Sequence, residues 1–402
     1  MSVALEKNRS IELSRRTSPF YAQKQSYKPS ETVRIEVDVS REYIDFQNSR
    51  LMIKFTPQNS TDALTDTWFA SRCVKNLRVK TLGGQMIGNE IREYRAWAQL
   101  YLNYVSNSDA NASHVDTMEG VAQRALTNGT SEQFAHKFIS HILACPSYYP
   151  AHFHQGLIIE FELPSIAECC VEATSSGDVL PDDTSTFEIE YLADLVQVKK
   201  EIEQKHIDMM KAGNLFVDYM EVLTQQNSLG TTSGLTSFDL VGIDGRVKSA
   251  FSYWIKGTDR DGDDEGHFQT YARNGLTSYR YKLGSDYLNY EPIAVADNTR
   301  AEQSLELMKA FDKAHEGAKG SMSVGAVSRA NALSTRFAVG VKSDAAQMDT
   351  DKTISSRIDK DRNNLRVELN FTSPTAAEIY THCVLDKKIS ILSGSSVLSV
   401  RG

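Results

Sequence analysis

The stretch Ser71–Tyr104 constrains the fold most, because its hydrophobic period changes within one segment. Apolar and basic residues alternate over Leu77–Thr81, and this period of two predicts a β-strand with one buried face. Gly83-Gly84 then supplies the positive φ angles of a tight hairpin, so Gln85–Ile87 begins the return strand. Residues three and four apart next predict a helix with one apolar face, formed by Tyr94, Trp97, Ala98 and Tyr101.

A similar order of elements returns in the second half of the chain. Leu157–Leu163 and Leu365–Phe371 share an alternating apolar pattern, and each ends near a proline. The helix over 91–104 corresponds to one predicted over 299–313, where Thr299 is the expected N-cap, and Arg72–Lys75 is matched with Arg246–Lys248. With about eight short strands between turn signals, each half has the pattern of a β-sandwich with Greek-key links.

The remaining patterns set the expected boundaries. Residues 106–133 are predicted to form a long surface loop, and Lys199–Lys211 a short helix that ends at Gly213. The predicted domains are an N-terminal arm (1–30), a first sandwich (31–198), a linker (199–212) and a second sandwich (213–402). The remaining strands are predicted over 31–39, 50–55, 187–198, 215–223, 238–243, 246–255, 276–283, 337–341, 378–385 and 389–400, with a hairpin at Asp244-Gly245.

Length and composition narrow the class of protein. A chain of 402 residues is long for one core, and 41% hydrophobic with 24% charged residues is typical of a globular protein. No run approaches the roughly 18 apolar residues of a membrane span, and the first residues lack the apolar core of a signal peptide, so we expect folding in a reducing cytosol. The five cysteines are expected to be small buried or semi-buried thiols. A net charge of −8 without a basic block argues against a duplex-binding surface.

Residues 1–30 are rich in basic residues and poor in apolar ones. One interpretation is a solvated, frayed terminus. The other is an arm that becomes ordered against a neighbouring subunit or an anionic surface. The basic residues are Lys7, Arg9, Arg15, Arg16, Lys24 and Lys28.

Several of these motifs resemble a known family, the double jelly-roll major capsid proteins of tailless icosahedral double-stranded DNA viruses. The hairpin Gly83–Ile87, followed by a helix with Tyr94 and Trp97, is similar to the family's early hairpin and helix. Tyr281–Tyr287, then Tyr290–Ile293, resembles a motif of its second jelly roll, although Leu288-Asn289 stands where the family commonly has Tyr-Pro. The resemblance covers residues 31–400.

The resemblance implies an all-β fold of two consecutive eight-stranded jelly rolls with a few short helices. It implies a structural protein, not an enzyme, whose homotrimers form pseudo-hexagonal capsomers of a virion shell assembled inside the host cell. The implied partners are neighbouring capsomers, penton proteins and minor capsid proteins. The N-terminal arm is expected on the inner side of the shell, towards neighbours or an internal membrane. No catalytic, cofactor-binding or metal-binding residues and no cofactor are implied.

Two alternatives stay open at this point. In a duplicated jelly-roll metalloenzyme, His152 and His154 on one strand face would bind a metal together with Glu160, as in cupins. In a carbohydrate-binding or attachment protein, a tyrosine cluster would form the sugar platform, at Tyr279, Tyr281, Tyr287 and Tyr290. The acidic loop Asp259–Glu265 has oxygen ligands for Ca²⁺, but it lacks the later bidentate Glu of an EF-hand, so a solvated acidic loop is the favoured interpretation. The sequence lacks the phosphate-binding and nucleophile-elbow motifs.

Overall fold

The structure, a computed structural model, contains two sets of β-strands, one in each half of the chain. It describes residues 11–105, 114–172, 179–243, 246–256, 273–283, 286–289, 291–295, 300–311, 337–342, 364–392 and 398–401. The strands of the first half are β1 (Glu12–Tyr21), β2 (Thr32–Asp38), β3 (Tyr43–Ile44), β4 (Arg50–Thr56), β5 (Ala63–Thr65), β6 (Leu77–Thr81), β7 (Glu132–His136), β8 (Gly156–Glu162), β9 (Cys170–Glu172) and β10 (Thr186–Val198).

The second half repeats this strand-rich composition. Its strands are β11 (Phe216–Leu229), β12 (Gly234–Leu240), β13 (Arg246–Lys256), β14 (Leu276–Leu283), β15 (Asp286–Tyr287), β16 (Ile293–Ala294), β17 (Val339–Lys342), β18 (Leu365–Phe371), β19 (Ala377–Ile391) and β20 (Leu398–Arg401). The α-helices are α1 (Phe69–Arg72), α2 (Tyr94–Val105), α3 (His114–Glu119), α4 (Lys200–Lys211) and α5 (Arg300–Ala310).

The two halves share one sheet topology. In the first half one sheet has the order β1-β10-β4-β7 and a second has β2-β8-β6. In the second half the corresponding orders are β11-β19-β13-β17 and β12-β18-β14-β15. When the principal strands of each half are numbered in chain order, strands with the same number therefore occupy the same position in the sheets of both halves. In the first half the place of β15 is taken by the return segment of the hairpin, which meets β6 at the bridge between Lys80 and Met86.

Each half is thus an eight-stranded jelly roll, and the predicted fold is confirmed. The predicted correspondence of 157–163 with 365–371 is also correct, because these segments form β8 and β18, the second strand in each shorter sheet. The helices α2 and α5 likewise stand at equivalent places in the chain, before β7 and β17. The predicted correspondence of 72–75 with 246–248 is wrong. The first segment begins at the last residue of helix α1, whereas the second is the start of strand β13.

Alternating burial explains the strands. In β2 every second residue is buried and the polar residues between them point outwards, whereas in β8 burial alternates only from Ile159 to Glu162 and the first four residues are all buried. The hairpin predicted at Gly83-Gly84 is present: the Gly84 N–H donates to Thr81 O at 2.9 Å, and Gly84 alone of the pair has a positive φ, of 84°. Buried side chains on the inner faces include Val33, Ile35, Val37, Ile53, Phe55, Ile159, Phe161 and Phe187.

The described residues fall into two compact units. One lies within Met1–Arg95, His114–Glu221 and Asp386–Gly402, and the other within Ala96–Ser113 and Val222–Leu385. Helix α2 and strands β11 and β19 each begin in one unit and end in the other. The domain boundaries predicted from the sequence stay a prediction.

Three sequence expectations need correction, and two others are not tested. Part of the expected arm, Glu12–Tyr21, is β1, which pairs along its length with β10. The expected loop 106–133 contains helix α3 and the start of β7. The strands expected over 378–385 and 389–400 form one continuous strand, β19, followed by the separate β20. The turn Asp244-Gly245 and the N-cap Thr299 lie outside the described residues.

Candidate functional site

The candidate metal ligands His152 and His154 lie on a 3₁₀ helix, Ala151–His154, and not on the strand that the metal hypothesis requires. Residues two apart share a face on a strand but not on a helix with three residues per turn. His154 is also fully engaged, because its Nδ1 donates to Gly156 O at 2.8 Å and its Nε2 accepts from the Tyr149 hydroxyl at 2.7 Å. The strand hypothesis for this pair is therefore wrong.

The third candidate ligand, Glu160, is used elsewhere. Its carboxylate pairs with Arg78 at 3.2 Å and with Lys80 at 2.8 Å on the neighbouring strand β6. Burial acts to raise the pKa of Glu160, but the hydrogen bonds from Lys80 and Arg78 outweigh it and lower that pKa. Within the residues that the structure describes, no group of three His, Cys, Asp or Glu side chains could hold a metal ion.

A histidine cluster joins helix α4 to the first jelly roll. The Tyr43 hydroxyl and Nδ1 of His206, which lies on α4, form a hydrogen bond of 2.7 Å. The ring of His152 meets the ring of Tyr43 edge-on, with centroids 4.9 Å apart. Nε2 of His152 lies 4.0 Å from the carboxylate of Glu203, which is also on α4. The helix is therefore docked through imidazole rings in a largely buried setting.

Burial of these imidazoles makes stability depend on pH. It lowers the pKa of His152, His154 and His206 to about 4 each. Since histidines of the unfolded chain titrate near pH 6.5, the unfolded state binds more protons than the folded state between about pH 6.5 and 4. The free energy of unfolding is thus expected to fall as the pH falls through this window, by roughly 1.4 kcal/mol per pH unit for each such imidazole.

Urea denaturation at several pH values between 4.5 and 7 checks this expectation. The double variant His152→Asn/His206→Gln should show a shallower slope than the parent chain. A slope remains in that variant because it keeps His154, and because burial also lowers the pKa of His141 and of His382, the latter to about 3. Equal slopes in the two chains would contradict the assignment to this cluster.

The tyrosines of the proposed sugar platform do not form one surface. Tyr279 and Tyr281 are buried, and their hydroxyls donate to Gly340 O at 3.3 Å and to Ser252 Oγ at 3.0 Å. Tyr287 is 42% exposed and lies under the guanidinium group of Arg280. Because two of the four rings belong to the core, the platform hypothesis is wrong for them. Tyr290 and the acidic loop Asp259–Glu265 lie outside the described residues.

All five cysteines are buried free thiols, as predicted. Burial raises the pKa of Cys73, Cys170 and Cys383, so these groups stay protonated. The Sγ atoms of the adjacent Cys169 and Cys170 are 3.9 Å apart and not bonded. The thiols act as small core side chains.

With these sites accounted for, the outer sheet faces are the remaining candidates. On the first jelly roll, the outer face of the β2-β8-β6 sheet is a ladder of paired charges. In it Arg78 also reaches Glu90 at 2.7 Å, and Arg34 pairs with Glu36 at 3.0 Å. Opposite charges therefore neutralise each other across the strands of this face.

The second jelly roll has a comparable face on the β12-β18-β14-β15 sheet. Asp239 on β12 accepts two hydrogen bonds from Arg366 on β18, at 2.7 and 2.9 Å, and these bonds lower the pKa of Asp239. Arg280 lies over the Tyr287 ring at 3.0 Å, with Glu368 at 3.9 Å. The two jelly rolls therefore share the charge pairing of this face as well as its topology.

The β1-β10-β4-β7 sheet carries a groove of about 540 Å³ on the first jelly roll. Its lining mixes apolar and charged side chains, and Lys54 within it pairs with Glu188 at 2.8 Å. The lining residues are Tyr21, Ala22, Lys24, Gln25, Met52, Lys54, Gln133, Glu188, Ile189 and Glu190. No helix in the described part of the chain is long and apolar enough to cross a membrane.

The basic residue Arg15 of the expected arm holds β1 on the first jelly roll. Its guanidinium group reaches Asp194 at 3.0 Å, Asp45 at 3.2 Å and the Tyr148 hydroxyl at 3.1 Å. The two carboxylates are almost fully buried, with side-chain exposures of 0% for Asp45 and 8% for Asp194. The sequence showed only a basic residue here, because its partners lie far away along the chain.

Replacement of Arg15 by alanine is expected to lower the free energy of unfolding by about 2–3 kcal/mol, since two buried carboxylates lose their counter-charge. The neighbouring Arg16 pairs with Glu42 and is 62% exposed, so Arg16→Ala should cost less than about 1 kcal/mol. Urea denaturation of both variants measures the difference. Equal costs would show that Arg15 does not anchor the strand.

Comparison with known proteins agrees with this fold. No protein-family model matches the chain, and no curated protein matches its sequence. Solved structures do match, among them the PBCV-1 virus capsid, with a TM-score of 0.65 at 10% identity over 98% of each chain. The Faustovirus major capsid protein has a TM-score of 0.63 at 7% identity, covering 97% of this chain and 92% of that chain.

A third solved structure with the same fold comes from another virus. The mavirus major capsid protein has a TM-score of 0.52 at 10% identity and covers 98% of this chain and 90% of that chain. At this level of identity the likeness establishes the fold, and it does so over almost the whole length of every protein compared. The predicted resemblance to double jelly-roll major capsid proteins is confirmed in fold.

Proposed function

We propose that this chain is the major capsid protein of an icosahedral double-stranded DNA virus and acts as a structural protein of the virion. The observation that carries the proposal is the presence of two complete jelly rolls of identical strand order in a chain that matches capsid proteins from end to end. Two similar building units in one subunit suit a shell made from many symmetric copies.

The unit of assembly under this proposal is a homotrimer, in which six jelly rolls give a pseudo-hexagonal outline. Its partners are neighbouring capsomers, penton proteins and minor capsid proteins. Paired charges on the outer sheet faces and a net charge of −8 support contact with protein surfaces in preference to sequence-specific binding of nucleic acid. We also propose residues 199–212, the segment that contains α4, as the linker between the jelly rolls.

The proposed contact with neighbours or an internal membrane is assigned to residues 1–10, which carry Lys7 and Arg9 and lie outside the described residues. Within the expected arm, Glu12–Tyr21 is unsuitable for this role, because this segment is a strand of the first jelly roll. A truncation that tests the arm must therefore stop before β1.

Removal of residues 1–10 is expected to leave the oligomer and its unfolding midpoint unchanged while impairing shell formation. Electron microscopy of the concentrated protein would compare the truncated chain with the full chain, and gel filtration would serve as the control for the oligomer. Shells of normal number and size from the truncated chain would contradict the role of this segment. Absence of shells or ordered arrays from the full chain, under all assembly conditions, would count against the proposed function itself.

A further inference from the structure

Helix α4 is attached to the first jelly roll through one buried side chain. Of the twelve residues of this helix only His206 is buried, and it is 5% exposed. The remaining residues are exposed or half-buried, and the half-buried apolar ones are Ile202, Ile207, Met209 and Met210. An element with so little buried surface opens at a lower free energy than the sheets of a jelly roll.

His206 is packed against aromatic residues of the first jelly roll. Its Nδ1 and the Tyr43 hydroxyl form a hydrogen bond of 2.7 Å, and the two ring centroids are 5.6 Å apart. Tyr43 is itself fully buried, and its ring also meets the rings of His152 and Phe153 edge-on. The imidazole of His206 therefore lies in a setting that favours its neutral form.

Besides Tyr43, several elements place titratable or charged groups around this part of the helix. Glu203 lies on α4, whereas the other groups belong to β1, the segment before β3 and the 3₁₀ helix: Arg16, Glu42, His152 and His154. Arg16 and Glu42 pair with each other at 2.8 Å, and Glu203 lies 4.0 Å from Nε2 of His152. Within the described residues no carboxylate pairs with His206 itself, so burial alone lowers its pKa, to about 4.

We propose that protonation of His206 detaches α4 from the first jelly roll in mild acid while the sheets of that jelly roll stay folded. A protonated ring can still donate to the Tyr43 oxygen, so the hydrogen bond does not decide the outcome. The buried setting solvates the new charge poorly, whereas water solvates it fully once the helix has detached. Detachment therefore becomes more favourable as the pH falls from about 6.5 towards 4.

The size of the effect follows from the pKa values of the attached and detached states. For an imidazole that titrates near pH 6.5 when free and at about 4 when buried, the ratio of detached to attached helix rises about tenfold from pH 7.5 to pH 5.5. His206 is the only histidine of α4, and the carboxylates and lysines of the helix titrate outside this range.

Detachment would make a virion subunit sensitive to the pH of its surroundings. Helix α4 lies within residues 199–212, the proposed linker between the jelly rolls, so its detachment would loosen this segment in mild acid. That consequence rests on the proposed function, whereas the detachment of the helix in the isolated chain does not.

Hydrogen–deuterium exchange followed by mass spectrometry tests the detachment in the full chain. Protection factors, which correct for the pH dependence of intrinsic exchange, would be compared at pH 7.5 and 5.5 for peptides that cover α4 and β8. The protection of α4 is expected to fall about tenfold between the two pH values and to stay below that of β8 at both. Equal protection of α4 and β8 would overturn the proposal, because the helix would then open only together with the jelly roll.

His206→Gln removes the titrating group, so the protection of α4 in this variant should change less than about twofold between the two pH values. Lys205→Gln is the matched control, because Lys205 is exposed on the same helix and its variant should keep the pH-dependent fall. A fall that persists in the His206→Gln chain would overturn the proposal.

A second variant covers the case in which His206→Gln detaches α4 at both pH values. Tyr43→Phe/His206→Phe replaces the hydrogen-bonded pair by two apolar rings that do not titrate, and it should hold the helix equally at pH 7.5 and 5.5. A pH-dependent fall in this double variant would contradict the assignment to His206. An unprotected helix at pH 7.5 would do so too, since a neutral buried ring would then not suffice to hold α4.

The mass of the protein in solution distinguishes failure of this inference from failure of the proposed function. A monomeric chain whose α4 detaches in mild acid would keep the inference and remove the capsid role. A trimer in which the protection of α4 is the same at both pH values would keep the capsid role and remove the inference.

Discussion

Replacement of Lys387 by methionine is expected to lower the free energy of unfolding by about 3–5 kcal/mol. Nζ of Lys387 lies 2.8 Å from Glu221, and the two side chains are 1% and 0% exposed. The other carboxylate oxygen of Glu221 accepts from the Asn89 N–H at 3.0 Å and the Tyr219 hydroxyl at 3.3 Å. Methionine keeps the volume of the lysine stem but leaves a buried carboxylate without its counter-charge.

The adjacent lysine provides the control. Lys388 pairs with Asp218 at 3.3 Å, and both side chains are well exposed, so Lys388→Met should cost less than about 1 kcal/mol. The double variant Lys387→Met/Glu221→Gln should recover much of the lost stability, because no buried charge remains unpaired and the glutamine amide oxygen can still accept from the Asn89 N–H and the Tyr219 hydroxyl. Urea denaturation of the three variants measures these differences. Similar midpoints for the two single variants would contradict a structural role for the buried pair.

Trp97→Ala is expected to cost about 3–5 kcal/mol, through lost burial and the cavity that remains. Trp97 on α2 is 3% exposed and packs in the second unit against three rings. Its ring centroid lies 5.5 Å from that of Tyr101, 5.6 Å from that of Phe251 and 5.6 Å from that of His382. A helix encoded within the first half of the sequence is thus part of the core of the second unit.

Tyr287→Ala is the aromatic control, since Tyr287 is 42% exposed and contacts the side chains of Arg280 and Lys282 on the sheet face. It should cost about 1 kcal/mol or less. The Trp97→Ala chain keeps two tryptophans, Trp68 and Trp254, so unfolding can be followed by fluorescence in both variants. A cost for Trp97→Ala no larger than that of the control would contradict its place in the core.

Sequence patterns predicted those strands and helices that have one buried face and one solvent-exposed face. Strands β14 and β18 lie over the residues expected, and β8 ends one residue early. In each, alternating burial leaves a period of two in the sequence. Helix α4 was predicted for the analogous reason at a period of 3.6. It ends at Lys211, and Gly213, whose φ is 70°, follows its C-cap as the predicted stop signal.

Strand β1 could not be predicted in this way. Most of its residues are exposed on both faces, so its place depends on backbone hydrogen bonds with β10 and on the distant partners of Arg15. Strand β19 was divided at Asp386-Lys387-Lys388, where polar residues interrupt the apolar pattern. Lys387 can lie inside the strand because Glu221 neutralises it, and that partner is far away in the sequence.

The candidate surfaces were less predictable than the strands. Charged residues on a strand indicate a solvent-exposed face. The sequence does not show that Asp239 pairs with Arg366, because this pair depends on the register between β12 and β18, and the two residues are 127 positions apart. The H-x-H motif misled for a local reason, since Pro150 precedes a 3₁₀ turn that ends at Gln155, whose φ is 69°. Among the described residues β12 is the first strand of its sheet, a position that only the strand order reveals.

The mass of the purified chain in solution, measured by light scattering after gel filtration, tests the central claim most directly. A capsid protein of this fold is predicted to give one stable species of three times the chain mass. Imaging of that species should show a pseudo-hexagonal outline. A stable monomer across the concentrations at which capsid subunits assemble would contradict the account.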